Sequence, residues 1–177
     1  MKRNMLRTIK SLMDYKTKLL RNMDSLDHVL ECSLENYDFM IDFAIKEGFK
    51  QVVDIGCAYG HQAELCRGRI KYTGIDEDAV DFYDYGEHYD KKYPCWIYER
   101  KFKNDLAIAN LSIGWNCYNN EEEFDEICKH LVKDFKACLL YIPMERKEIL
   151  LRNFKGVEAI KEKDDKLIPT GFYYCHD

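Results

Sequence analysis

An acid at the end of an apolar run, with small residues directly after it, is the most chemically suggestive feature of this sequence. Val52-Val53-Asp54-Ile55 leads into Gly56-Cys57-Ala58-Tyr59-Gly60. Small residues at 56, 58 and 60 let backbone approach a ligand where a Cβ would intrude, and glycine tolerates the positive φ that such a turn demands. A helix beginning near His61 would add backbone N–H donors suited to an anionic group. The plain alternative is an ordinary tight turn. The spacing is Gly-x-Ala-x-Gly, whereas the pyrophosphate of a dinucleotide requires Gly-x-Gly-x-x-Gly, so nicotinamide and flavin cofactors are demoted. Asp54, two residues before the first glycine, suits a ligand carrying an amino group. A second acid, Asp76, ends the run Tyr72-Thr73-Gly74-Ile75, 22 residues further on.

An apolar strand ending in an acid, then small residues at alternate positions, resembles the first motif of the class I S-adenosylmethionine-dependent methyltransferases. Asp54, Gly56 and Gly60 match it and Ala58 departs from it. The chain thus resembles a small, divergent member of that family, which implies S-adenosyl-L-methionine as cofactor, with Cys57 inside the cofactor turn. The resemblance gives Asp76 the grip on both ribose hydroxyls, for which a two-oxygen acceptor is needed. It leaves Glu99 as the nearest candidate for the adenine contact. The segment from Asp105 to Trp115 looks like the family's passage from cofactor to acceptor, with Asn110 and Leu111 beside the cofactor. Asn110-Leu111-Ser112 differs from the Asn/Asp-Pro-Pro-Tyr of the amino-methylating nucleic-acid enzymes and is closer to branches that methylate small molecules. The implied reaction is methyl transfer to a small-molecule or peptide-like acceptor, with His61, Tyr59 and Ser112 as candidate bases. Two alternatives stand beside it. Ala58, and only six residues between Glu99 and Leu106, where the family has a helix, suit an inactive scaffold acting as a binding or inhibitor protein. A basic N-terminal segment suits a nucleic-acid methyltransferase.

These side chains need a framework. From Gly48 onward short apolar runs alternate with amphipathic stretches, the pattern of a parallel sheet covered by helices. Strands are expected at Gln51 to Ile55, Lys71 to Ile75, Cys95 to Tyr98, Leu106 to Ala109 and Ala137 to Ile142. A helix is expected from Glu121 to Asp134, with three glutamates in its first turn favoured by the helix dipole and Phe124, Ile127, Cys128, Leu131 and Phe135 turned to the sheet. Val157 to Lys161 and Phe172 to Cys175 read as an antiparallel pair closing the sheet edge. Before Gly48 everything reads helical, with Tyr37, Met40, Ile41, Ala44 and Ile45 as one apolar stripe. The fold class is therefore α/β, a Rossmann-like three-layer sandwich whose mostly parallel seven-stranded sheet has an antiparallel edge strand. N-terminal helices over 1–48 pack on a methyltransferase-like unit over 49–177, one structural domain overall.

Composition sets outer limits. The 177 residues are 46% hydrophobic and 33% charged, with nine Gly and three Pro, which is globular and leaves little material for a linker. Lys and Arg interrupt every apolar stretch near the N-terminus, so neither a signal peptide nor a membrane span is expected and a cytoplasmic location is. In a reducing compartment the eight cysteines, at 32, 57, 66, 95, 117, 128, 138 and 175, are expected as buried thiols. No Cys-x-x-Cys pair occurs, and Cys128-Lys129-His130 alone does not make a zinc site. Seven Lys and Arg against Asp14 put +6 on residues 1–21 and leave −11 on the rest of a chain of net charge −5. An acidic body argues against a broad nucleic-acid face, and the basic arm reads best as the solvated side of an amphipathic helix. The sequence is silent on oligomeric state.

Overall fold

A computed structural model describes residues 26–57, 60, 62–76, 91–94, 105–113, 120–163 and 169–177. The first element among the described residues is α1, Leu26–Lys46. Leu34, Tyr37, Met40, Ile41 and Ala44 recur at helical spacing and are all buried, so one stripe of α1 is pressed on the sheet. The helix stops at Gly48, whose φ is +83°. There the amide of Gly48 bonds to Ile45 O and that of Phe49 to Ala44 O, the Schellman closure for which glycine is the inexpensive residue. The chain then enters β1, Gln51–Ile55, which all but one residue bury completely.

The remaining elements among the described residues are a four-residue helix α2, Ala63–Cys66; β2, Lys71–Asp76; β3, Lys91–Pro94; β4, Leu106–Asn110; α3, Glu121–Asp134; β5, Ala137–Pro143; a single 3-10 turn, Met144–Arg146; α4, Lys147–Asn153; β6, Gly156–Lys163; and β7, Thr170–His176. They form one seven-stranded sheet in the order β3-β2-β1-β4-β5-β7-β6. The first five strands in that order run parallel. β7 runs antiparallel to both β5 and β6. The reversed strand is therefore not the edge, as the sequence suggested, but lies one place inside it. A reversed hairpin arm can enter between β5 and β6 because β5 is fully buried and offers a whole flank of seven residues to pair. The third strand also differs from expectation. It pairs Lys91–Pro94 with Thr73–Asp76, and the run from Cys95 to Tyr98 lies outside the described residues.

Alternate residues of the buried strands serve two cores, as the two-residue strand period requires. Val53, Ile55, Ala107, Ala109 and Leu140 meet α3 and α4 through Phe124, Ile127, Leu131, Ile149 and Leu150. Val52, Tyr72, Leu106, Ile108 and Leu139 meet α1 and α2 through Tyr37, Met40, Ile41, Ala63 and Leu65. Arg69 ties the second layer together, since its guanidinium donates to Asp38 Oδ1 at 3.0 Å, to Leu65 O at 3.1 Å and to Asp42. Cys57, Cys66, Cys128, Cys138 and Cys175 are free and buried, and burial pushes the Cys128 thiol up to about 12. They pack as small apolar groups. Among the described residues no helix is long and apolar enough to cross a membrane.

Candidate functional site

β1 has β2 on one side and β4 on the other, so the chain order reverses at β1, the switch point beyond whose carboxyl strand ends α/β sheets bind ligands. The glycine turn emerges there. Gly56 and Gly60 have φ of +71° and +72°, which a Cβ disfavours by about 1–2 kcal/mol. At Gly56 space is a second constraint, because a Cβ built there would stand 2.3 Å from the Cβ of Ser112. The amides of Gly56 and Cys57 both donate to Ile75 O, at 2.8 and 3.1 Å, and that of Gly60 to Cys57 O at 2.9 Å. These N–H groups are thus committed within the turn, and α2, which follows, is only four residues long. His61, where the sequence expectation placed a helix start with free amides, lies outside the described residues.

Asp54 has no exposed surface. Its carboxylate accepts from Tyr72 Oη at 2.7 Å, from Tyr37 Oη at 3.2 Å and from Gln62 Nε2. Burial raises its pKa to about 6, against the lowering effect of those three donors and with a further upward push from the charge of Asp76. Burial, and then the Asp54 charge, hold the Tyr37 phenol well above its ordinary range. The sequence placed Asp54 against a ligand's amino group; the fold instead surrounds it with protein donors behind the turn. Gln62 connects the two, since the same Nε2 reaches Cys57 O at 3.0 Å.

Asp76 ends β2 one residue beyond the Ile55–Ile75 pair and is half-buried. On the other side of β1, Asn110 ends β4, also half-buried, and its Oδ1 accepts from Asn36 Nδ2 of α1 at 3.1 Å. Leu111 follows with φ +59°, a left-handed conformation unusual for a branched side chain, and its amide bonds to Tyr141 O at 2.9 Å. Ser112 is buried and donates to Ile55 O. That hydroxyl clamps the end of β4 to the end of β1, directly over Gly56, so its proton is engaged and the side chain is a clasp rather than the base the sequence suggested. Ala58, Tyr59, His61, Glu99 and Trp115 lie outside the described residues.

Asp54, Gly56, Cys57, Gly60, Asp76, Asn110 and Leu111 are therefore gathered at one edge of the sheet. Sequence reading missed Asn36, Tyr37, Tyr72 and Gln62 as parts of the site. The available signal was polarity in apolar company: Asn36 and Tyr37 stand in the buried stripe of α1 and Tyr72 in a buried strand, and a buried polar group needs a partner.

No protein-family model matches the chain, and no curated protein sequence matches it. Solved structures do resemble it. The magnesium protoporphyrin IX methyltransferase ChlM of Synechocystis PCC 6803, crystallised with bound SAM, superposes with a TM-score of 0.65 at 13% identity over 96% of this chain and 97% of its own. A Thermoplasma acidophilum protein gives 0.62 at 13% over 85% and 96%. The mitomycin 7-O-methyltransferase MmcR gives 0.58 at 12% over 82% and 54%. What such distant sequences share is architecture, and the architecture here is the α/β fold seen in the methyltransferases ChlM and MmcR.

Proposed function

We propose that this chain binds S-adenosyl-L-methionine at the carboxyl edge of β1, β2 and β4 and transfers its methyl group to a small-molecule or peptide-like acceptor. The observation that carries the reading is the convergence of the Gly56–Gly60 turn, half-buried Asp76 and half-buried Asn110 on the carboxyl strand ends at the strand-order reversal. A structure of ChlM with bound SAH, besides the one with SAM, supports the cofactor for this fold. The neighbours ChlM and MmcR, a magnesium protoporphyrin IX methyltransferase and a mitomycin 7-O-methyltransferase, support a small molecule over a nucleic acid.

The donor set suits such a ligand. Asp76 would accept from the two ribose hydroxyls, Gly56, Cys57, Ala58 and Gly60 would line the cofactor, Glu99 would serve the adenine, and Asn110 and Leu111 would border the acceptor side. The bound cofactor supplies an activated methyl group on a sulfonium. The chain's own part is to hold donor and acceptor in line, exclude water and take a proton where the acceptor needs it. His61 and Tyr59 are the proposed proton acceptors. Asp54 acts from behind the turn.

Calorimetry with S-adenosylmethionine and S-adenosylhomocysteine tests this directly. Asp76→Ala removes a charged partner of two hydroxyls and is expected to weaken binding by at least about 30-fold, from roughly 2 kcal/mol of charge-assisted hydrogen bonding. No heat from the wild-type chain at millimolar ligand would sink the proposal.

A second reading, a methyltransferase-like scaffold that binds a partner without turnover, is favoured by one observation. The hydroxyl of Ser112, a candidate base, is engaged by Ile55 O. It predicts that Asp76→Ala keeps the partner and the biological effect while losing the cofactor.

A further inference from the structure

Asn36 and Tyr37 are consecutive on α1, and each reaches the carboxyl end of a different strand. Asn36 Nδ2 donates to Asn110 Oδ1 at 3.1 Å, and Tyr37 Oη donates to Asp54 Oδ1 at 3.2 Å. Both side chains are buried, at 6% exposure each. Packing alone does not call for an amide and a phenol in this stripe, because the neighbouring inward positions are Leu34, Met40, Ile41 and Ala44. The two polar groups are matched to polar groups at the ends of β4 and β1, where a buried donor needs an acceptor.

Each contact passes on to the site. From Tyr37 the path is Asp54, then Gln62, which donates to both Asp54 and the carbonyl of Cys57 inside the glycine turn. From Asn36 the contact fixes the Asn110 amide, with the oxygen held toward α1 and the Nδ2 side turned away from it. Leu111, next in the chain, holds the left-handed φ of +59°, and such a conformation persists only where neighbours determine it. α1 itself is braced by the Arg69 contacts to Asp38 and Asp42, one and five residues beyond Tyr37.

We propose that Asn36 and Tyr37 are positioning residues, through which α1 sets the polarity of the Asn110 amide and the shape of the Gly56–Gly60 turn, so that α1 is part of the cofactor site rather than a cover for the sheet. The inference rests on the cofactor reading above for its ligand and on geometry for the rest.

The full chain is tested with S-adenosylhomocysteine as probe and with amide hydrogen exchange, which needs no ligand. In Asn36→Asp, at a position only 6% exposed, burial favours the protonated carboxyl near pH 5, which still donates to Asn110 Oδ1, whereas the ionised form near pH 8 only accepts and forces the Asn110 amide to turn over. Relative to the wild type at the same pH, affinity is expected within about threefold near pH 5 and at least about tenfold weaker near pH 8. A ratio that does not change with pH overturns the inference. In Tyr37→Phe, exchange at the Gly56 and Cys57 amides is expected to quicken about tenfold while the β5–β7 amides stay as they are. No change at the turn, or an equal change throughout the sheet, overturns it, and this variant decides the matter where Asn36→Asp does not fold. A wild-type chain that binds no S-adenosylhomocysteine removes the cofactor reading alone, since the exchange measurement still reports whether α1 holds the turn.

Discussion

Asp54 keeps a carboxylate out of water between two tyrosines and a glutamine, and its pKa of about 6 against an ordinary 3.8 makes the cost measurable. The folded state holds this proton more tightly than the unfolded chain does. The stability contribution of Asp54 is therefore greatest below the unfolded pKa, declines as pH rises from about 4 to about 6, and is flat above. Two pKa units correspond to about 3 kcal/mol. Asp54→Asn has no such proton, so the stability of the wild type relative to this variant should improve by up to that amount between pH 7 and pH 4. Urea midpoints at four pH values measure it, and a trend of the opposite sign would refute the assignment. Gly56 carries a second prediction. An alanine there takes on an unfavourable φ and meets Ser112 at 2.3 Å, so Gly56→Ala is expected to cost roughly 2–5 kcal/mol. Adding Ser112→Gly should return the steric share, about 1–3 kcal/mol, but not the conformational share. Full additivity in chemical denaturation of the double variant would show that the two residues do not collide.

Elements whose causes are local were legible. α3 runs from Glu121 to Asp134 as read, because Asn120 caps it, accepting from the Glu123 amide at 2.8 Å, and its apolar residues keep one face. Asn120→Ala should cost about 1 kcal/mol in thermal or urea unfolding and leave S-adenosylhomocysteine affinity unchanged, since α3 lies on the sheet face away from α1. A loss of affinity would mean that the two layers communicate. The helix α4, Lys147–Asn153, was not foreseen. It has only two buried residues, Ile149 and Leu150, no side-chain cap and an exposed Leu151, so no clear helical stripe distinguishes it. β3 was sought at the apolar run from Cys95 to Tyr98, whereas Lys91–Pro94, with two lysines and a proline, pairs with β2. An edge strand needs little hydrophobicity, and charge and proline discourage further pairing there.

For the molecule as a whole, ligand binding and folding are linked. The proposed cofactor site, built from the ends of three strands and from α1, would exist only in the folded chain, so S-adenosylhomocysteine at 100 times its Kd should stabilise the fold by about 2.7 kcal/mol and raise Tm by roughly 5–10 °C. Scanning calorimetry over a ligand series measures this, and an unchanged Tm at saturation would contradict a folded-state site. The residue order alone was enough for the α/β class, the buried strands β1, β4 and β5, the helix α3, and the glycine turn with Asp76 in step, because strand and helix periods, caps and positive-φ glycines act over a few neighbouring residues. Tertiary structure alone decided that β7 enters between β5 and β6, that Asp54 turns inward to Tyr37, Tyr72 and Gln62, that Ser112 closes over Gly56, and that Asn36 meets Asn110. Those contacts join residues 8 to 74 positions apart, and the donors that neutralise a buried acid or amide are chosen by packing, which no local pattern encodes.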